Sequence, residues 1–260
     1  MRFDGLTAVV TGGGSGIGRA LCERFADAGA KVAVADLDGA AAREVAAGLP
    51  AVATGFAVDV TDEGQVRYLV HEIEQTMGPI GLYCSNAGVF LGAGLGASAD
   101  WERSWQLHVL AHVYAARAVL PRMVDRGGGH FLVTASAAGL LTSLDSASYA
   151  TTKHAAVALT EWLAIAHGDT GVGFSCLCPQ GVRTPMTVRD PGEVVGSDIG
   201  PLLEPAEVAE AVMVALEQGH FLVLPHPEVA AYEQRRAADR DRWLAGMRRA
   251  RARLLPPSRR

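Results

Sequence analysis

Lysine is nearly absent from this chain of 260 residues: only Lys31 and Lys153 occur, against 21 arginines. A composition so biased towards arginine makes each retained lysine informative, because a compact ammonium can serve two small acceptors where a forked guanidinium is too large. Cysteine is also sparse. Cys22, Cys84, Cys176 and Cys178 lie in apolar stretches, at spacings that match neither a zinc ribbon nor a Cys-x-x-Cys redox pair. Buried free thiols and no metal site are expected. No run of about 18 apolar residues appears, so no membrane span is expected. Met1–Gly5 carries no charged-then-apolar leader, which points to a cytoplasmic location. What is present is ordinary for a globular protein: 49% hydrophobic and 20% charged residues argue against disorder.

Charge is unevenly placed. Residues 1–234 carry 13 basic and 26 acidic side chains, a balance of −13, whereas residues 235–260 carry 10 arginines against Asp239 and Asp241, a balance of +8. A nucleic-acid binder would want its basic face on the domain itself, so no nucleic-acid partner is expected. The expected organisation is one domain over 1–234 followed by a basic helical tail over 235–260.

Strand-like and helix-like segments alternate. Leu6–Thr11, Lys31–Ala35, Ala51–Val58, Ile80–Ser85, His130–Ala135, Gly171–Cys178 and Phe221–Leu224 read as strands. Ile17–Ala28, Ala40–Leu49, a segment ending near Met77 with Thr61 or Asp62 as its cap, Ala99–Asp125, Ser148–His167, Glu204–Gln218 and most of Pro227–Arg253 read as helices. This alternation predicts an α/β fold of the Rossmann type: a single doubly wound parallel sheet of about seven strands with helices on both faces. The stretch from Pro185 to about residue 203 has weak periodicity and reads as a lid over a substrate pocket.

Thr11–Gly18 joins the first strand to the first helix. Its glycines, Gly12, Gly14, Gly16 and Gly18, let the backbone turn tightly and approach a pyrophosphate, and the helix start at Ser15, Gly16 and Ile17 offers free N–H groups to the anion. Asp36 closes the second strand, 18 positions after Gly18. A carboxylate there accepts hydrogen bonds from ribose hydroxyls and repels a 2′-phosphate, and neither Ser15 nor the neighbouring Leu37 supplies a cation. NAD is therefore expected over NADP.

Tyr149 and Lys153 stand four apart at the start of a predicted helix, so phenol and ammonium share one face. The ammonium and an oxidised nicotinamide ring are both expected to favour the phenolate, lowering the phenol's pKa towards the range useful for proton exchange. Ser136 follows the fifth strand, where ligands bind in open α/β sheets, and its hydroxyl can donate to a substrate oxygen. Ser143, Ser146 and Ser148 are nearby rivals.

With these residues in order, the chain resembles the short-chain dehydrogenase/reductase family over roughly residues 3–225. The resemblance implies that Ser136, Tyr149 and Lys153 are catalytic, that Asp59 and Val60 contact adenine, that Asn86, Ala87 and Gly88 line the cofactor, and that Val182 and Thr184, in the segment from Pro179 to Met186, face the nicotinamide carboxamide. It implies hydride transfer between nicotinamide and a secondary alcohol or ketone, with Tyr149 exchanging the proton and Lys153 holding the nicotinamide ribose. It also implies pairing into a homotetramer, or a dimer, through the two long helices. Two departures stand out. His108 occupies the place of a catalytic asparagine, either as a substituted relay residue holding a water or as a buried, satisfied histidine. Gln180 follows Pro179 where glycine is common. The expected substrate residues Ala138, Leu140, Gln180 and Met186 are mostly apolar and suggest an uncharged substrate. The rival reading is a catalytically impaired NAD-binding sensor or scaffold on the same fold; a dehydratase or epimerase on a related fold would want a larger C-terminal substrate domain.

Overall fold

The computed structural model describes residues 1–190, 193–194 and 202–254. Seven strands form one parallel sheet: β1 (Thr7–Thr11), β2 (Lys31–Asp36), β3 (Ala53–Ala57), β4 (Ile80–Ser85), β5 (Gly129–Thr134), β6 (Val172–Leu177) and, after a short hairpin of β7 (Val188–Asp190) and β8 (Glu193–Val194), β9 (Leu222–Val223). The order across the sheet is β3-β2-β1-β4-β5-β6-β9. All seven segments read as strands from sequence are thus strands.

Alternation along each strand divides the core in two. Ala8 and Val10 of β1 face the layer of α1 (Gly16–Asp27), α2 (Gly39–Gly48) and α7 (Pro205–Gln218), where Leu21, Phe25, Val45 and Val212 pack. Val9 faces the layer of α3 (Glu63–Thr76), α5 (Ala111–Asp125) and α6 (Ala147–His167), where Val70, Ile73, Val119 and Val157 pack. With both faces covered, the central strands are continuous apolar runs, and β1 is buried throughout. The chain leaves β1 towards β2 on one side and returns to β4 on the other. That reversal opens a crevice at the carboxyl ends of β1 and β4, the usual ligand position in such sheets.

Local signals fix the helix starts. Asp62, not Thr61, caps α3 by accepting from the Gly64 and Gln65 N–H groups at 2.8 and 3.1 Å. The helix expected over Ala99–Asp125 is present but contains an internal π turn. It runs as α4 (Ser98–Trp105), a π-helical turn at Gln106–Leu110, and α5. A π turn inserts one extra residue into the helix and re-aims the side chains it carries. Here those include His108.

The ends of the expected lid are clamped side by side: the Arg183 N–H donates to the Leu203 carbonyl at 2.9 Å and the Leu203 N–H to the Gly181 carbonyl at 3.1 Å. Residues 191, 192 and 195–201 of that stretch lie outside the described residues. The domain boundary expected at 235 falls inside α8 (Glu228–Ala238), and Tyr232 and Trp243, the latter in α9 (Arg240–Leu254), pack against the main core. Among the described residues no helix is long and apolar enough to cross a membrane.

Candidate active site

A cleft of about 410 Å³ runs across the carboxyl end of the sheet. At one end lies the glycine turn. Gly12 has φ +67°, a left-handed conformation that side chains disfavour, and a Cβ on Gly18 would overlap the Gly12 carbonyl. Gly12, Ser15, Gly16, Ile17 and Gly18 line the cleft; Gly14 does not. Its backbone N–H instead donates to Asp36 Oδ2 at 2.9 Å, so it positions the carboxylate rather than a phosphate. Asp36 Oδ1 accepts from the Asp38 N–H at 3.0 Å. Each carboxylate oxygen keeps further acceptor capacity, and Asp36 and the exposed Leu37 line the cleft.

Asp59 and Val60 line the same end. Asp59 Oδ1 accepts from both the N–H and the hydroxyl of Thr61, at 2.9 and 2.6 Å, which fixes the turn into α3. Asn86 ties β1 to β4: its side-chain amide donates to the Thr11 carbonyl and its backbone N–H to the Thr11 hydroxyl, each at 2.9 Å. Ala87 and Gly88 follow it along the wall. Val182 and Thr184 close the cleft from above, and the Thr184 methyl lies about where a Cβ on Gly16 would touch it, at 3.1 Å. These residues leave a Cβ-free floor, unused helix N–H groups and a strand-end carboxylate in one trough, a donor set that fits a dinucleotide.

At the other end Ser136, Tyr149 and Lys153 line one wall. Ser136 caps a short 3-10 turn (Ala137–Gly139) through the Ala138 N–H at 3.1 Å, and its hydroxyl faces the Pro179 carbonyl at 3.4 Å. The rival serines have structural partners. Ser146 caps α6 and donates to the Leu91 carbonyl at 2.9 Å, Ser148 reaches the same carbonyl, and Ser143 Oγ accepts from the Ser146 N–H. Tyr149 is packed between the Phe90 ring, 4.9 Å away centre to centre, and the His108 ring at 5.6 Å.

The electrostatics correct one expectation. Lys153 is buried, its ammonium donates to the Thr134 carbonyl at 3.0 Å, and burial lowers its pKa to about 8. It lies 5.8 Å from the centre of the Tyr149 ring. The phenol is raised above its ordinary value, not lowered: burial pushes it up, and the Ser136 hydroxyl only partly pulls it back. Burial sets the sign, and the Lys153 ammonium is not among the groups that shift the phenol.

Of the two readings of His108, the structure favours the buried, satisfied histidine over the relay residue. It is fully buried and does not line the cleft. Its Nε2 accepts from the Val89 N–H at 3.2 Å and its Nδ1 meets the Thr152 hydroxyl at 2.9 Å. Both ring nitrogens are occupied, so it has no site left to hold a relay water. Among the substrate residues, Gln180 and Met186 line the cleft. Leu140 does not; it is 6% exposed and belongs to the core beneath α6. Ala138 is likewise off the cleft, its N–H spent on Ser136. Arg103 and Leu107, on α4 and the π turn, line the cleft without having been expected there. Arg103 is an exposed residue of α4 at the rim of the cleft.

Comparison with known proteins places this geometry in context. A family model described as short chain dehydrogenase matches residues 6–193. The 1-deoxy-11-beta-hydroxypentalenate dehydrogenase of Streptomyces exfoliatus is 40% identical over 197 residues, covering 72% of this chain and 70% of the relative. The meso-2,3-butanediol dehydrogenase of Serratia marcescens is 36% identical over 224 residues, covering 83% and 88%. A short chain dehydrogenase/reductase from Burkholderia phymatum, solved in complex with NAD, superposes with a TM-score of 0.82 at 30% identity over 93% of this chain and 96% of that one.

Proposed function

Because the chain belongs to the short-chain dehydrogenase family and is an oxidoreductase of CH–OH and C=O groups, we propose that it interconverts an uncharged secondary alcohol and a ketone with NAD(H), using Tyr149 as acid and base. The observation that carries this reading is the shared cleft: Ser136, Tyr149 and Lys153 line the same 410 Å³ space as the glycine turn and Asp36.

In this reading the start of α1 holds the pyrophosphate, Asp36 the adenosine ribose, Asp59 and Val60 the adenine, and Val182 and Thr184 the carboxamide. NAD, when bound, supplies the hydride acceptor. Tyr149 takes the proton from the alcohol oxygen in oxidation and returns it in reduction. Ser136 donates to that oxygen and holds it against Tyr149. Lys153, anchored on the Thr134 carbonyl, keeps two further N–H bonds for the nicotinamide ribose. Asp36 supports NAD over NADP, since a 2′-phosphate beside its carboxylate would be repelled. Val89, Leu107 and Met186 supply apolar wall, which supports an uncharged substrate; Arg183 is engaged by Glu204 at 2.7 Å, and the exposed Arg103 joins Lys153 as a basic side chain on the cleft. We also place the protein in the cytoplasm as a homotetramer, or failing that a dimer. Exposed Trp162 and Ile165 on α6 support pairing through that helix.

The test is to follow NADH absorbance over a panel of secondary alcohols and ketones. Turnover with NAD(H) on uncharged members is expected. NADH binding with no turnover anywhere on the panel would favour a nucleotide sensor instead, and turnover confined to small carboxylates would overturn the substrate class.

A further inference from the structure

The proposed reaction gives the C-terminal helices α8 and α9 no task, yet the end of the chain is tied to the catalytic region at three points. Just ahead of α8, His226 Nδ1 accepts from the backbone N–H of Gln180, a residue of the cleft, at 3.2 Å. On α8, Arg236 Nη2 donates to His154 Nε2 at 3.2 Å. His154 follows Lys153 on α6. Its Nδ1 donates to the Ala150 carbonyl at 2.8 Å, since a carbonyl can only accept, so Nε2 is the bare nitrogen that takes the guanidinium N–H. On α9, Arg251 Nε donates to the Leu144 carbonyl at 3.3 Å, across 107 residues of sequence.

Leu144 lies in the segment that joins Ser136 to Tyr149. Residues 140–145 of that segment form no helix or strand, so other bonds hold them. At one end the Leu140 and Leu141 N–H groups donate to the Ala137 carbonyl at 3.0 and 2.8 Å, directly after Ser136. At the other, the Asp145 carbonyl accepts from the Gly94 N–H at 2.6 Å. Ser146 Oγ accepts from the Tyr149 N–H at 3.2 Å and donates to the Leu91 carbonyl at 2.9 Å. Leu91 and Gly94 belong to the loop after β4, whose Phe90 ring packs on the Tyr149 ring. Leu144 is thus the neighbour of the residues that fix the start of the Tyr149 helix. Arg251 grips it from outside. Among the described residues of α9 none is fully buried; Trp243 packs partly against the main core, and Arg251 follows it by about 12 Å along the helix.

We propose that α8 and α9 form a strap across the catalytic wall, and that Arg251 is a positioning residue that acts through Leu144 on Ser136 and Tyr149. Without its bond the joining segment gains freedom, and the two hydroxyls spend less time aligned on one substrate oxygen. Misplacement by about 1 Å can cost about 100-fold in rate. The inference rests on the proposed role of Tyr149.

The experiment compares the wild type with Arg251→Met, Arg251→Lys and Arg248→Met in the full chain, and with a chain lacking residues 251–260 as a second way to remove the donor. Arg248 is an exposed arginine of the same helix and controls for loss of charge. Melting temperatures establish folding. For each, kcat is measured with the ketone that the wild type reduces best, beside the NADH dissociation constant and amide hydrogen exchange over residues 140–150. Arg251→Met and the shortened chain should lose about fivefold or more in kcat, keep NADH affinity close to wild type, and exchange faster at Ser146, Ala147 and Tyr149. Arg251→Lys, which can still donate to the Leu144 carbonyl, should restore most of the rate, and Arg248→Met should behave as wild type. A folded Arg251→Met with wild-type kcat overturns the proposal. So do equal losses in Arg248→Met, or unchanged exchange over 140–150. If the wild type turns over no ketone, the proposed activity fails, and hydrogen exchange decides the strap by itself.

Discussion

The Val89 backbone N–H donates to His108 Nε2 at 3.2 Å, and this bond fixes the state of the whole ring. Nε2 must be bare, so Nδ1 carries the proton and donates to the Thr152 hydroxyl at 2.9 Å. Thr152 in turn donates to the Ser148 carbonyl at 2.8 Å. The chain of bonds stitches the loop after β4 to the π turn and to α6, one turn from Tyr149. Burial, with the charges of Lys153 and His112, keeps the His108 pKa well below its ordinary value.

His108 is therefore expected to stay neutral across the working range. A kcat profile between about pH 5 and 9 should show no inflection that disappears in His108→Asn. The variant should lose stability, because an unpaired buried donor costs about 1–3 kcal/mol. Urea denaturation together with the pH profile checks both points.

Tyr149 sets a pH dependence of opposite sign in the two directions. Burial raises its pKa, so the phenolate needed for oxidation becomes more populated as pH rises, and the phenol needed for reduction becomes less so. Alcohol oxidation should climb steadily through the alkaline range while ketone reduction falls. Steady-state kcat/KM in both directions measures this; parallel profiles would contradict it.

Asp36 governs the choice of dinucleotide. Its carboxylate stays in place because the Gly14 and Asp38 N–H groups hold one oxygen each. The wild type should favour NAD over NADP by about tenfold or more, since like-charge juxtaposition with a 2′-phosphate costs over 1.4 kcal/mol. Asp36→Ala should erode that ratio mainly by improving NADP. Cofactor titrations by fluorescence would reveal an unchanged ratio if this is wrong.

The elements were legible where one physical signal dominates. Unbroken apolar runs such as Ala8–Val10 and Leu82–Cys84 can be little else than strands buried on both faces, and Asp36 stands out because it ends one of them. Positions set by a local irregularity were not legible. The apolar spacing through Leu107, Val109 and Leu110 continues the helical pattern without a break, so nothing announces the π turn that carries the buried His108 and the cleft-lining Leu107. Leu140 has the same apolar character as a pocket residue and differs only in which side of a 3-10 turn it takes. His226 meets Gln180 across 46 residues, a pairing no periodicity encodes. The raised pKa of Tyr149 escapes the sequence for a related reason: spacing reports the neighbouring ammonium but not the burial of the phenol.

Buried histidines predict acid lability. Burial, with the charge of Lys153, lowers the His112 pKa to about 3, and burial lowers that of His130 to about 4. Both are depressed below the unfolded value of about 6.5, so the unfolded chain binds more protons in between. Their contribution to stability is complete above about pH 6.5 and declines as pH falls towards the folded values, by about 1.4 kcal/mol per pH unit for each histidine. His112→Gln should flatten this slope in denaturation curves taken from about pH 7 to pH 4; an unaltered slope would show that His112 is not held neutral.

The central claim is that the Tyr149 hydroxyl carries the proton of the reaction. Measuring kcat for alcohol oxidation in Tyr149→Phe, beside the NADH dissociation constant of the same preparation, tests it most directly. The account predicts a loss of about 10²–10⁴-fold in kcat with NADH affinity close to that of the wild type. A variant that binds NADH and still oxidises the alcohol at near wild-type rate would contradict it.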